Sequence, residues 1–96
     1  KTNFYDIYIV SWMPNQKSTI HNHSENGCLF KILKGNIQEN HYNTDNLKKI
    51  SQKILSINDV NYISNNMYYH QMINLDNDIT VSLHIYSPPN YKIKSF

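Results

Sequence analysis

The stretch HNHSENGCLFKILKG, residues 21–35, decides the predicted fold. It opens with His21 and His23, which a single residue separates. Alternate side chains of a β-strand point to the same face, so in an extended segment these two histidines can hold one metal ion. A catalytic metal site usually has three protein ligands and leaves coordination positions open. A third ligand is therefore needed, and His70 is the candidate.

The second half of this stretch predicts a strand followed by a turn. Cys28, the only cysteine of the chain, begins the apolar run CLFKILK at residues 28–34. Gly35 and Asn36 follow as a tight connection, and residues 37–42 predict the next strand. We therefore expect a hairpin at Gly35.

Short strands are expected along the rest of the chain. They are predicted at residues 4–12, 19–23, 59–63, 68–73, 79–86 and 91–96. In residues 47–55 the apolar residues recur at near-helical spacing, so that a short helix and a strand both stay open there. Many short strands separated by turns are typical of a β-sandwich or barrel.

The strand ITVSLHIY, residues 79–86, has two different faces. Thr80, Ser82, His84 and Tyr86 share one face, and the opposite face is fully aliphatic. We expect the aliphatic face to form the core. The polar face then meets solvent or lines a pocket.

Length, charge and cysteine content limit the class of protein. The 96 residues are enough for one domain, and because the first residue is Lys we expect N- and C-terminal parts of a longer protein to lie outside them. The formal net charge of +2 is weak and scattered, so we expect no nucleic-acid partner. One cysteine excludes an internal disulfide, and no apolar run is long enough for a membrane span. We therefore expect a soluble, cytoplasmic protein without membrane association.

Several of these features together resemble cysteine dioxygenases, which are thiol dioxygenases of the cupin superfamily. The resemblance is carried by HNH at 21–23, Cys28, Gly35, YIS at 62–64, His70 with Asn74, and SLHIYSPP at 82–89. It extends from about residue 7 to residue 96. It implies an all-β, cupin-type jelly-roll barrel in which residues 1–96 form a single cupin domain.

The resemblance also implies a metal centre and a reaction. His21, His23 and His70 would bind Fe(II), with no further cofactor. The implied reaction belongs to cysteine catabolism: L-cysteine is oxidised by O₂ to cysteine sulfinic acid, and both oxygen atoms go to sulfur. The expected partners are a small-molecule thiol and O₂, and we expect a monomer.

Four further residues receive implied catalytic roles from the resemblance. Cys28 and Tyr86 would form a thioether cross-link beside the metal. Ser82 and His84 would hydrogen-bond along to the Tyr86 hydroxyl and orient it. His41 lies outside this pattern, and we expect it at the surface.

The chain departs from the family pattern in three places. It contains no Arg, although the family binds the substrate carboxylate with an arginine upstream of the matched region. Tyr68 stands where the family has a glycine two residues before the third histidine, and it would narrow the site or change the local turn. Asn15 replaces the first cupin glycine, a mild change because asparagine tolerates left-handed backbone.

Two alternatives to a cysteine dioxygenase stay open. One is a dioxygenase for another small thiol, such as 3-mercaptopropionate or cysteamine. The other is a metal-binding cupin that serves as a structural or interaction module without turnover, which crowding by Tyr68 would favour.

Overall fold

The computed structural model describes residues 6–22, 27–63 and 68–86. These residues contain seven strands: β1 (Asp6–Trp12), β2 (Cys28–Lys34), β3 (Asn36–Tyr42), β4 (Lys49–Ser56), β5 (Val60–Ile63), β6 (Tyr69–Ile73) and β7 (Thr80–Tyr86). In these three ranges no helix has the length and apolarity needed to cross a membrane. The all-β prediction is confirmed, while the strand predicted at 91–96 lies outside the described residues.

The strands form two antiparallel sheets that share one core. A four-stranded sheet has the order β1-β7-β2-β5, and a three-stranded sheet has the order β4-β3-β6. The buried apolar residues come from both sheets and form one cluster: Trp12, Cys28, Phe30, Ile32, Ile37, Leu55 and Met72. Strands that line this core carry the candidates Cys28, His70, Ser82, His84 and Tyr86, whereas His21 lies in the segment between β1 and β2.

The predicted hairpin at Gly35 is wrong, because β2 and β3 belong to different sheets. The chain turns a corner at Gly35, so that Ile32 before it and Ile37 after it are both buried in the common core. Gly35 has a φ of +80°, and a Cβ atom there would lie 2.4 Å from Oγ1 of Thr80. Only glycine permits this backbone and this close approach.

The segment left open between helix and strand is the edge strand β4, which pairs with β3 from Ser56 to Lys49. Of its apolar residues, Leu55 is buried, whereas Ile50 and Ile54 are exposed. The near-helical spacing therefore does not mark a buried face. Pairing with β3 decides the conformation, as tertiary context commonly does for strands.

In the strand predicted at residues 19–23, the described residues 19–22 form an isolated bridge at His21 and no strand, and His23 lies outside the described residues. This segment pairs with β6 through two isolated bridges, Lys17 to Ile73 and His21 to His70. Between them, the Ser18 hydroxyl accepts a hydrogen bond from the Met72 N–H at 3.0 Å, so a side chain takes the place of a backbone ladder partner.

The expectation that the aliphatic face of β7 forms the core is wrong, whereas the polar face lines the interior, which is one of its two predicted alternatives. The side chains of Thr80, Ser82 and His84 are buried, while Val81 and Leu83 on the aliphatic face are only half-buried. The polar side chains find partners inside: Thr80 donates to the Asn36 carbonyl at 2.8 Å, for example. Since these groups are satisfied, the polar face of β7 lines the interior at little cost.

Candidate active site

His21 lies in the segment between β1 and β2, where it forms an isolated β-bridge with His70 of β6. Each backbone N–H donates to the carbonyl of the other residue, at 2.9 and 3.1 Å. This pairing brings the two Nε2 atoms to 2.8 Å from each other. The rings meet edge to face, with centroids 4.4 Å apart.

The opposite ring nitrogens determine the tautomer of each histidine. Nδ1 of His21 lies 2.8 Å from the Thr19 carbonyl, and Nδ1 of His70 lies 2.7 Å from Oε2 of Glu39. Both partners are acceptors, so each Nδ1 carries the proton and each Nε2 presents a lone pair. Burial lowers the pKa of His21 and, with nearby His21 and His84, lowers that of His70 further, which favours the neutral form of both rings.

Two unprotonated imidazole nitrogens this close to each other can bind one metal ion. Imidazole nitrogens that each lie about 2.1 Å from one ion, at right angles, are about 3.0 Å apart. The observed 2.8 Å between the Nε2 atoms of His21 and His70 is close to this separation. The remaining predicted ligand, His23, lies outside the described residues. Within the described ranges, no three His, Cys, Asp or Glu side chains converge as a complete ligand set.

Glu39 on β3 is a site residue that the sequence prediction missed. Its side chain is fully buried, and besides His70 it contacts Asn61, whose Nδ2 donates to Oε1 at 2.6 Å. Glu39 and His41 alternate with the buried Ile37, which puts all three on the inner face of β3. The alternation with Ile37 is visible in the sequence, but by itself it does not show which face of β3 is buried.

Cys28 and Tyr86 are direct cross-strand partners in the register of β2 and β7. Burial raises the pKa of the Cys28 thiol to about 12, which a hydrogen bond with Tyr86 only partly opposes. Burial and the neighbouring Cys28 also raise the pKa of the Tyr86 hydroxyl. Both groups therefore keep their protons at neutral pH, and they lie side by side.

Ser82 and His84 form part of a hydrogen-bonded row that begins at Trp12. The indole N–H of Trp12 donates to Oγ of Ser82 at 2.9 Å, and this Oγ lies 2.6 Å from Nε2 of His84. Burial lowers the pKa of His84 to about 4, so its neutral Nε2 accepts the serine proton. The rings of His84 and Tyr86 are stacked with centroids 6.2 Å apart. Among the described contacts, the implied step from His84 to the Tyr86 hydroxyl is not present.

Comparison with known proteins assigns the family. Residues 2–96 match the family model for cysteine dioxygenase type I. The chain belongs to the cysteine dioxygenase family. It is 32% identical over 91 residues to cysteine dioxygenase type 1 of Bos taurus, a match that covers 88% of this chain and 46% of the relative. The chain thus spans about half the length of this curated cysteine dioxygenase.

Solved structures confirm the cupin-type fold. A protein of Klebsiella pneumoniae with a double-stranded β-helix domain superposes with a TM-score of 0.80 at 15% identity, over 98% of this chain and 76% of that one. A sugar phosphate isomerase of the cupin superfamily from Silicibacter pomeroyi gives 0.72 at 16% identity, over 88% and 50%. The jelly-roll barrel predicted from the resemblance to cysteine dioxygenases is therefore present.

The departures from the cysteine dioxygenase pattern have visible structural settings. Asn15 adopts a φ of 67°, the left-handed backbone expected of a residue in place of a glycine. The half-buried Tyr68 packs its ring against that of His41, with centroids 4.0 Å apart. Burial and the nearby Glu39 raise the pKa of Tyr68. Tyr68 therefore lies beside the inner polar residues of β3.

The prediction that His41 lies at the surface is wrong. Only 6% of the residue is exposed, because the inner face of β3 turns it toward the interior. Its Nδ1 lies 2.8 Å from the Ser51 hydroxyl. Its Nε2 lies 2.9 Å from Oε1 of Glu39, without the alignment of a hydrogen bond. A polar interior of this kind contains charges and dipoles that the apolar pattern of the sequence does not reveal.

Proposed function

We propose that this chain is part of a non-haem iron dioxygenase that oxidises L-cysteine with O₂ to cysteine sulfinic acid. The observation that carries the proposal is the pair of converging Nε2 atoms of His21 and His70, in a chain of the cysteine dioxygenase family. The proposal retains the expectation of a monomeric, cytoplasmic enzyme that acts on a free thiol.

The proposed metal ligands are His21, His23 and His70, and Fe(II), when bound, supplies the redox chemistry that joins O₂ to sulfur. Three neutral imidazoles leave the charge of the ion uncompensated. The usual non-haem iron triad already includes a carboxylate. In this proposal the substrate thiolate provides that negative charge, so the ligand set favours a thiol substrate.

The proposed roles of the other residues follow from their protonation. Because the pKa of Tyr86 is raised, its hydroxyl keeps a proton that it can donate to the substrate or to O₂. Trp12 and Ser82 hold His84 in place behind the stacked Tyr86 ring. In the proposed thioether bond, the buried Cys28 thiol and a ring carbon of Tyr86 each lose one hydrogen, and O₂ accepts the two electrons.

The experiment is oxygen consumption by the full-length, Fe(II)-loaded protein with L-cysteine, with sulfinate followed by mass spectrometry. We expect sulfinate to form in step with O₂ uptake. His70→Ala should lose both the iron and the uptake, because it removes one of the two converging nitrogens. Stoichiometric iron retained by this variant would contradict the assignment of His70.

The same assay separates the alternatives. Uptake with cysteamine or 3-mercaptopropionate but not with L-cysteine would change the substrate and keep the reaction. No uptake with any of the three thiols, despite bound iron, would favour a metal-binding module without turnover.

A further inference from the structure

We propose that Glu39 is a positioning residue, whose carboxylate fixes the ring of His70 and tunes the metal that this ring binds. The inference rests on the proposed function in that the metal is taken to be iron. The inference goes beyond the proposed function because it gives a defined role to a residue that does not contact the substrate.

The contacts of Glu39 divide between its two oxygens. Oε2 accepts the Nδ1 proton of His70 at 2.7 Å. Oε1 accepts from Asn61 at 2.6 Å and lies 2.9 Å from Nε2 of His41 and 4.0 Å from Nζ of Lys53. Residues of β4 and β5 therefore contact Oε1, and Oε2 binds the ring of His70.

The strand register makes this arrangement rigid. His41 on β3 lies directly opposite His70 on β6, and Glu39 lies one pleat further along the same inner face. A half-turn of the His70 ring would put a C–H group against the carboxylate and remove Nε2 from its position near His21. The Glu39 carboxylate thus selects both the orientation and the tautomer of the ring.

A charged partner does more than orient a metal ligand. A carboxylate that accepts the second ring proton makes the imidazole a stronger electron donor, and such partners commonly change metal affinity by about 10–100-fold. A merely structural buried residue would have no such effect. Glu39→Gln separates the two roles because the side chain keeps its shape and an acceptor oxygen but loses its negative charge.

The test compares wild-type protein, Glu39→Gln and the control Asp78→Asn. Asp78 carries the same charge but is exposed, in an ion pair with Lys34. We measure Fe(II) affinity by competition with a chelator, and the Fe(III)/Fe(II) potential of the loaded protein. For Glu39→Gln we expect affinity to fall about 10–100-fold and the potential to rise, since the oxidised ion loses more stabilisation. Asp78→Asn should match the wild type in both.

A second measurement does not depend on iron or on the folding of a variant. Nitrogen-15 NMR of the metal-free wild type should show His70 in the Nδ1–H tautomer, with its proton shifted downfield by the carboxylate. An Nε2–H tautomer would overturn the inference. So would a folded Glu39→Gln variant with the affinity and potential of the wild type.

The outcomes distinguish this inference from the proposed function. Iron affinity that depends on Glu39, in a protein that consumes no O₂, would refute the dioxygenase and support the positioning role. Full turnover in Glu39→Gln with unchanged iron affinity would support the dioxygenase and refute the positioning role.

Discussion

At the scale of single residues, Cys28 shows how the surroundings of a thiol decide its chemistry. A reactive cysteine has a lowered pKa and partial exposure. Cys28 has neither, because it is buried and its pKa is raised to about 12. Its thiol is therefore a poor nucleophile by itself, and a bond to the adjacent Tyr86 ring requires an oxidant.

The proposed cross-link leads to a prediction about mass. Joining the Cys28 sulfur to a ring carbon of Tyr86 removes one hydrogen from each, with O₂ accepting both electrons. After aerobic incubation with iron and L-cysteine, intact-mass analysis should therefore show part of the protein lighter by two hydrogens. Cys28→Ser and Tyr86→Phe should each abolish that species.

Tyr8 provides a matched control for this prediction. Its ring contacts that of Tyr86 with centroids 5.8 Å apart, but it is not the cross-strand partner of Cys28. Tyr8→Phe should therefore keep the lighter species. A homogeneous full mass in the wild type, with Cys28 fully open to alkylation after unfolding, would exclude the cross-link.

At the scale of elements, the corner between β2 and β3 depends on one glycine. A Cβ at position 35 would lie 2.4 Å from Oγ1 of Thr80. That Oγ1 accepts from the Asn36 N–H at 3.2 Å and donates to the Asn36 carbonyl at 2.8 Å, so it cannot move without losing these bonds. The corner therefore combines a steric requirement with a buried hydrogen-bond pair.

Gly35→Ala should accordingly destabilise the fold. Strain at positive φ and the displaced Thr80 together suggest a loss of about 2–4 kcal/mol in the free energy of unfolding. Urea unfolding, followed by intrinsic fluorescence, measures it. A loss below about 0.5 kcal/mol, the range of neutral surface changes, would contradict this account of the corner.

Leu47, in the turn between β3 and β4, is a position where a substitution should stabilise the protein. It has a φ of 58°, which is unfavourable for leucine, and its side chain is exposed. Leu47→Asn should stabilise the protein by about 1 kcal/mol, because asparagine tolerates left-handed backbone and little burial is lost. The same urea unfolding measures this gain, and equal or lower stability would show that the leucine side chain contributes packing.

At the scale of the whole molecule, buried histidines make the interior sensitive to acid. Burial lowers the pKa of His21, His70 and His84, the last to about 4. In the unfolded chain these histidines bind protons below about pH 6.5, whereas in the folded protein they stay neutral to a lower pH. The free energy of unfolding of the metal-free protein should therefore fall as the pH drops from about 6.5 toward 4.

His84 alone should account for about 2 kcal/mol of this loss between pH 7 and pH 5. Urea unfolding at the two pH values, in wild type and His84→Gln, measures its share. We expect the difference between the two pH values to be smaller in the variant by about that amount. An unchanged difference would mean that His84 titrates normally in the folded state.

The sequence by itself determined the family, the all-β class and most of the strands. It also identified the candidates His21 and His70, which the structure pairs in one bridge, Cys28 and Tyr86, which are cross-strand partners, and Ser82 and His84, which are buried on β7. The strands depend on local alternation and turn residues, and the site candidates depend on short motifs that resemble those of cysteine dioxygenases. Such signals lie within a few residues of one another, so they can be recognised without the fold.

Only the tertiary structure decided which face of each strand is inside. It turned the polar side of β7 inward, moved β3 into a second sheet at Gly35, and buried Glu39 and His41 beside His70. A strand with a polar and an aliphatic face can turn either one inward. The choice depends on whether partners on distant strands satisfy the polar groups, as Asn61 and His70 do for Glu39. Those partners lie more than 20 residues away in the chain, where no local pattern records them.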